Sequence, residues 1–172
     1  MRSSIRTMNT LQVQQIRPLM LSVATHFEKT QAEKAFRLFV SWTVRFLIAG
    51  GGRGGQLEAA YCSSAQKVSE GKITTAKELA KEMADFVPSN AEFKNEFAVA
   101  RVSKSHLARY YLRALELKLM NDPEPEFIPN DDFVINLEHI LPENPGKNWS
   151  GIDPDTAVAV YKRLGNLGFV KK

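Results

Sequence analysis

Apolar residues recur at helical spacing through roughly the first 120 residues of the chain. The strongest stripe consists of Phe36, Phe39, Val40, Thr43, Phe46 and Leu47. Because residues spaced in this way share one helix face, the stripe predicts a largely buried helix over about 31–49 that ends at Gly50. The sequence Thr-Gln-Ala-Glu at 30–33 predicts a capping box at its start, in which the Thr30 hydroxyl and the Glu33 carboxylate accept from free backbone amides.

Similar patterns predict the neighbouring helices. A shorter helix is expected to begin near Arg17-Pro18, and another is expected over about 56–70, with Gly71 after its end. The inward residues of the second are Leu57, Ala60, Tyr61, Ala65 and Val68.

Three more helical segments are predicted between residues 75 and 120. The sequence Thr-Ala-Lys-Glu at 75–78 is a second capping box, and its helix stops before Pro88. Phe93 and Phe97 indicate a short helix, and the last helix covers 103–120. The expected inward residues are Leu79, Met83 and Phe86 in the first, and Ala108, Leu112, Leu115 and Leu119 in the last.

The pattern changes after residue 120. Residues 121–132 contain three prolines and five acids, which is typical of a linker. Residues 133–141 are rich in β-formers, and a second short strand is predicted at 166–170. Between them, Asp153 is expected to cap a helix that begins at Pro154 and ends before Gly165. The prediction is a mainly α fold, with a helical region at 1–120 followed by a smaller unit at 133–172 that contains a short antiparallel strand pair.

Composition restricts the class of protein. Of the 172 residues, 44% are hydrophobic and 24% are charged, as in soluble globular proteins. No apolar stretch reaches 18 residues and no signal peptide is apparent, so we expect no membrane segment. The single cysteine, Cys62, excludes an internal disulfide, fits a cytoplasmic location and is interpreted as a small core residue. The net charge of +4 mildly favours an anionic partner such as nucleic acid.

One short segment carries candidate chemistry. Glu138 and His139 stand side by side at the end of the first predicted strand, just before Pro142, and Asn166 opens the second strand. The unperturbed pKa of histidine, about 6.5, suits His139 to the role of general base, and a carboxylate such as Glu138 is a suitable ligand for Mg²⁺ or Mn²⁺. Because adjacent residues of a regular strand face opposite ways, the site requires the strand to twist or end here.

The sequence resembles a known nuclease family in these same residues. Residues 138–142, Glu-His-Ile-Leu-Pro, and residues 164–167, Leu-Gly-Asn-Leu, closely resemble the HNH nuclease domain at the C-terminal end of the GmrSD-type modification-dependent restriction endonucleases. Trp149 and the predicted helix at 154–164 occupy the expected places between the two motifs. The resemblance is strong over 133–170 and diffuse over 1–120.

The resemblance implies a fold, an activity and a set of roles. The implied fold is a partial ββα-metal (HNH, His-Me finger) unit. The implied activity is DNA cleavage with Mg²⁺ or Mn²⁺, and modified foreign DNA is one candidate substrate. His139 is the implied general base, Glu138 the metal ligand, and Asn166 braces the His-bearing segment through hydrogen bonds. The helical region resembles the family's connection to an N-terminal ParB-like domain, which is not expected within this chain.

The resemblance is incomplete at the C-terminal end. HNH sites take a further metal ligand from a helix after the second strand, and we expect that ligand beyond residue 172. The chain is therefore interpreted as a fragment of a longer protein, with weak or no cleavage activity by itself.

An alternative of a different class stays open. In it, the helical region is a non-catalytic interaction or scaffold module, and the HNH unit is a structural remnant. Arg101, Lys104, Arg109 and Arg113 would then contact a protein or nucleic-acid partner, although a solvated helix face is the simpler interpretation. His106, among these cations, is expected on the same solvated or partner-facing surface. The sequence does not determine the oligomeric state.

Overall fold

The structure, a computed structural model, describes residues 1–52, 54–120 and 135–171. It confirms a mainly α-helical fold with a short antiparallel strand pair near the C-terminal end. The chain forms two compact units, Met1–Ala98 and Val99–Lys172. The linker predicted at 121–132 lies outside the described residues. Among the residues that are described, no helix has both the length and the apolar character needed to cross a bilayer.

The first unit is helical throughout its described part. Its helices are α1 (Arg2–Leu11), α2 (Arg17–His26), α3 (Lys29–Ala49), α4 (Gly54–Ser69), α5 (Ala76–Glu82) and α6 (Asn90–Ala98). The sequence analysis did not predict α1, which has few apolar residues and buries only Met8 and Leu11. Contact with the rest of the unit, and not a long apolar stripe, therefore accounts for this helix.

Helix α3 provides much of the core of the first unit. Phe36 and Phe39 are almost fully buried, and their rings meet edge to face with centroids 5.3 Å apart. Trp42 continues the aromatic row, 5.7 Å from Phe39. The predicted bounds of this helix are close to the observed ones, because its end at Gly50 and its apolar stripe are both local properties of the sequence.

The two predicted capping boxes have different outcomes. At α5, the Thr75 hydroxyl accepts from the Glu78 amide at 3.2 Å, and the Glu78 carboxylate accepts from the Thr75 amide at 3.1 Å. At α3, Glu28 occupies the N-cap position without a side-chain bond, so the box predicted at Thr30 is wrong. The helix begins at Lys29, which places Thr30 inside the first turn, where its hydroxyl is not at the N-cap position.

Helix α4 has the predicted inward residues and one wrong assignment. Leu57, Ala60, Tyr61, Ala65 and Val68 are buried, together with Ser64. Cys62, interpreted from sequence as a core residue, is exposed because it lies on the other side of the helix from this stripe.

After α5, the predicted inward position of Phe86 is wrong. Phe86 is 40% exposed, because α5 ends at Glu82 and the stripe does not continue to it.

The second unit combines helices with the strand pair. Its elements are α7 (Ser105–Met120), β1 (Ile135–His139), α8 (Pro154–Val160) and β2 (Leu167–Lys171), with 3-10 turns at Lys147–Trp149 and Leu164–Asn166. The Asp153 carboxylate caps α8, as predicted, by accepting from the Thr156 amide at 3.0 Å. In α7, Ala108 is buried but Leu119 is 81% exposed, so the predicted inward stripe is wrong at its C-terminal end.

Candidate active site at the end of the strand pair

The two strands pair antiparallel over five positions, and the candidate site lies where this pairing ends. Glu138 is opposite Gly168, and His139, the last residue of β1, is opposite Leu167. Both candidate side chains are exposed. One backbone bond follows the ladder, in which the Ile140 amide donates to the Asn166 carbonyl at 2.9 Å. The strand therefore ends at the histidine.

Glu138 and His139 occupy successive ladder positions, so their side chains leave β1 toward opposite faces. The space across from Glu138 is open, because its partner is glycine and a Cβ added to Gly168 would meet no atom within 4 Å. A small hydrated ligand can approach the carboxylate from this side.

The Asn166 side chain joins three parts of the second unit. Its Oδ1 accepts from the Leu141 amide at 2.8 Å, and its Nδ2 donates to the Leu141 carbonyl at 2.9 Å. The same Nδ2 donates to the Tyr161 carbonyl at 3.2 Å. Asn166 is 6% exposed, and burial makes such bonds costly to lose. The amide thus fixes the segment that follows His139 against the chain that follows α8.

Two residues that the sequence analysis did not single out lie beside the histidine. The Tyr161 ring is 6.1 Å from the His139 ring, between centroids, at an angle of 43°. Lys162 lies on the Tyr161 ring, with Nζ 5.1 Å from the ring centroid. The Tyr161 ring therefore borders one side of the imidazole, and Lys162 contacts that ring. Their sequence position, shortly before the 164–167 motif, was the only available signal.

Residues 87–172 match the family described as GmrSD restriction endonucleases, C-terminal domain. The chain belongs to this family. No curated protein and no solved structure shows significant similarity to it. The match includes the whole second unit and both motifs, and it confirms the resemblance on which the sequence analysis relied.

In this GmrSD-family chain, α7 supports the strand pair through Arg109. The guanidinium donates to the Ile135 carbonyl at 2.9 Å and lies over the Phe169 ring, 5.8 Å from its centroid. One contact is to β1 and the other is to β2. Arg109, named in the alternative hypothesis as a partner contact, is therefore engaged in holding the two strands.

The available ligands fit only a weakly held cation. Among the described residues, no group of three or more His, Cys, Asp and Glu side chains is placed to bind a metal. Mg²⁺ commonly retains several waters and uses one or two carboxylates together with substrate phosphates. The exposed Glu138 carboxylate, with open space beside it, meets that minimal requirement.

Two polar groups of α7 are buried without a hydrogen-bond partner in the described part of the chain. They are His106 Nε2 and the Tyr111 hydroxyl. His106 was expected on a solvated or partner-facing surface; the residue is half-buried, and its Nε2 faces inward, so the ring is not fully solvated. Burial, with a smaller contribution from Tyr110, raises the pKa of Tyr111 to about 12. No sequence pattern indicates the burial of either group, since each lies between charged or apolar neighbours that suit several orientations.

Proposed function

We propose that the second unit is a DNA endonuclease of restriction type that hydrolyses phosphodiester bonds with a divalent metal. One observation carries this proposal: the two motifs meet in space, because Asn166 of the second binds the backbone of Leu141 in the first. That contact leaves His139 at the exposed end of a braced strand. Membership of a restriction endonuclease family supports DNA as the substrate.

His139 is the proposed general base. The neutral imidazole takes a proton from water as the water oxygen bonds to phosphorus, and the ester oxygen that leaves takes a proton from solvent. Its position at the end of β1 leaves the ring accessible to a substrate, and the Tyr161 ring limits its movement on one side. Asn166 is a positioning residue in this scheme, because it acts on the histidine only through the backbone of Leu141.

Glu138 is the proposed metal ligand, with Mg²⁺ or Mn²⁺ as the ion. A bound divalent cation stabilises negative charge on the phosphate. The carboxylate leaves β1 on the opposite face from the imidazole, so the substrate phosphate has to reach both from the open end of the strand. With one protein carboxylate, we expect weak metal binding that becomes tighter when DNA is present.

The first test is cleavage of plasmid DNA by the purified chain with Mn²⁺ or Mg²⁺. We expect slow cleavage that His139→Ala abolishes. His26→Ala is the matched control, because His26 is an exposed histidine at the end of α2 in the other unit. Equal cleavage by wild type and His139→Ala would contradict the assignment of the base.

The second test measures Mn²⁺ binding by titration, with and without DNA. Glu138→Gln removes the charge but keeps the shape, and it is expected to weaken binding. Glu143→Gln, at an exposed acid in the following loop, is expected to bind Mn²⁺ like the wild type. If the chain neither cleaves DNA nor binds Mn²⁺ through Glu138, the scaffold alternative is the better description.

A further inference from the structure

Two arginines of the second unit lie directly opposite each other in an isolated antiparallel bridge. The bridge pairs Arg101 with Arg163. It is closed by two backbone bonds of 2.8 Å, from the Val102 amide to the Lys162 carbonyl and from the Leu164 amide to the Ala100 carbonyl. Because the flanking residues make these bonds, the arginines form a non-hydrogen-bonded pair, the arrangement in which facing residues are closest, with Cα atoms about 4.5 Å apart.

Like charges at directly opposed positions destabilise a strand pair. In the described part of the chain, neither guanidinium forms an ion pair with a carboxylate. The Arg101 guanidinium donates instead to the carbonyls of Ala159 and Val158, at 2.6 and 3.3 Å, near the end of α8. These acceptors carry no net charge, so no carboxylate among the described residues neutralises the pair.

Helix capping explains one arginine and not the other. The bonds of Arg101 to the last carbonyls of α8 stabilise the C-terminal end of that helix. The structure gives Arg163 no such task, and its side chain is exposed. An arginine that repels its neighbour and whose side chain makes no hydrogen bond or ion pair among the described residues is explained if an anion binds there.

The bridge is continuous with the candidate active site. Arg163 directly precedes the turn Leu164–Asn166, whose last residue holds the segment after His139. On its other side, Lys162 lies on the Tyr161 ring, and that ring borders His139. The chain therefore connects the arginine pair to the imidazole through Lys162 and the Tyr161 ring.

We propose that Arg101 and Arg163 form a binding site for a backbone phosphate of DNA, beside the candidate active site. This inference rests on the proposed function for the choice of DNA as the ligand. A guanidinium presents paired donors that match the oxygens of a phosphate, and two of them opposite each other supply both the charge and the geometry. A phosphate bound between them removes the repulsion within the pair.

The test is DNA binding, measured by fluorescence anisotropy with a labelled duplex over a range of salt concentrations and without divalent metal. Arg163→Gln is expected to weaken binding several-fold at low salt and to reduce the slope of log K against log salt by about one, as for one lost phosphate contact. Arg163→Lys is expected to retain part of the affinity, since it keeps the charge but not the paired donors.

Arg37→Gln is the matched control, because it removes one exposed arginine from α3 in the first unit and makes the same change in net charge. Equal affinity and salt slope for Arg163→Gln and Arg37→Gln would overturn the proposal. So would a wild-type chain without measurable affinity for DNA at low salt, or tighter binding of RNA than of a DNA duplex of the same length.

Thermal unfolding separates this role from a structural one. Because removal of Arg163 relieves repulsion, Arg163→Gln is expected to unfold at the same or a higher temperature than wild type in low salt. A clear decrease would make Arg163 a structural residue and overturn the proposal. Neither measurement depends on cleavage, so the two proposals can fail separately. If Arg163→Gln loses DNA binding but His139→Ala still cleaves DNA like wild type, only the catalytic proposal is refuted.

Discussion

Asn166 binds Leu141 in the way that one peptide group binds another, with its amide accepting from the Leu141 N–H at 2.8 Å and donating to the Leu141 C=O at 2.9 Å. The side chain thereby satisfies both polar backbone groups of a buried residue just beyond the paired strands. Such a residue is difficult to replace, because no other group of its size supplies a donor and an acceptor in one plane.

We therefore expect Asn166→Ala to destabilise the second unit by about 2 to 4 kcal/mol, since it leaves the buried N–H and C=O of Leu141 unpaired. Urea unfolding gives the free energy, and faster hydrogen exchange of the Leu141 amide locates the change. Asn144→Ala, an exposed asparagine in the adjacent loop, is the control. Equal stability of the two variants would show that water or a rearranged backbone replaces the lost bonds.

The two threonines of the predicted capping boxes form a second comparison. Thr75→Ala is expected to cost about 1 kcal/mol of unfolding free energy, and Thr30→Ala much less, because only Thr75 caps a helix. The measurement is urea unfolding at pH 7. A larger loss for Thr30→Ala than for Thr75→Ala would contradict the observed start of α3.

The Thr75 box also has a pH dependence. Hydrogen bonds, first from the Thr74 backbone amide and then from Thr75, lower the pKa of Glu78 from its ordinary 4.5. The stabilisation that Glu78 gives is therefore fully present above pH 4.5 and is lost as the pH falls through the lowered pKa. The difference in unfolding free energy between pH 7 and pH 3 should be smaller in Glu78→Gln than in wild type. An equal difference in the two proteins would contradict this prediction.

Tyr111→Phe is expected to leave stability at pH 7 unchanged or to raise it, because the buried hydroxyl has no hydrogen-bond partner among the described residues. Burial raises the pKa of Tyr111 from 10.0 to about 12, so the unfolded chain loses this proton first and stability falls as the pH rises above 10. The free energy of unfolding, measured by urea unfolding, should fall less between pH 9 and pH 11 in the variant than in wild type. Lower stability of the variant at pH 7 would indicate a favourable contact of the hydroxyl.

If His139 is the general base, the Tyr161 ring is expected to affect the cleavage rate. Tyr161→Phe keeps the ring that borders the imidazole and should cleave DNA like wild type. Tyr161→Ala removes it and should slow single-turnover cleavage about 10- to 100-fold through misplacement of the base, with little change in DNA affinity. A large effect of Tyr161→Phe would instead assign a role to the hydroxyl.

Features set by neighbouring residues could be predicted from the sequence. The inward face of α4, the Thr75 capping box and the Asp153 cap all follow from short patterns, and the structure confirms them, as it does the antiparallel strand pair. The strand pair was harder to predict, because its members are far apart in the chain. It was predicted because the two motifs resemble a family in which they meet.

Features that depend on the packing of distant segments could not be predicted. Helix α3 begins at Lys29, with Glu28 at the N-cap and only two residues after α2, although the local pattern favours a cap at Thr30. The inward position of His106 Nε2 and the contact of Tyr161 with His139 depend on how α7 and α8 are rotated, and a polar sequence pattern does not determine that rotation. The Arg101–Arg163 bridge joins residues 62 positions apart with no pattern in common.

The bonds of Asn166 to Leu141 also act as a stop against sliding of β1 along β2. A displacement by one residue would break both bonds and move the imidazole to the opposite face of the ribbon, because strand side chains alternate. At the other end of the ribbon, the contacts of Arg109 with Ile135 and Phe169 oppose the same displacement. The asparagine thus determines on which side of the protein the histidine emerges, before any contact with substrate is made.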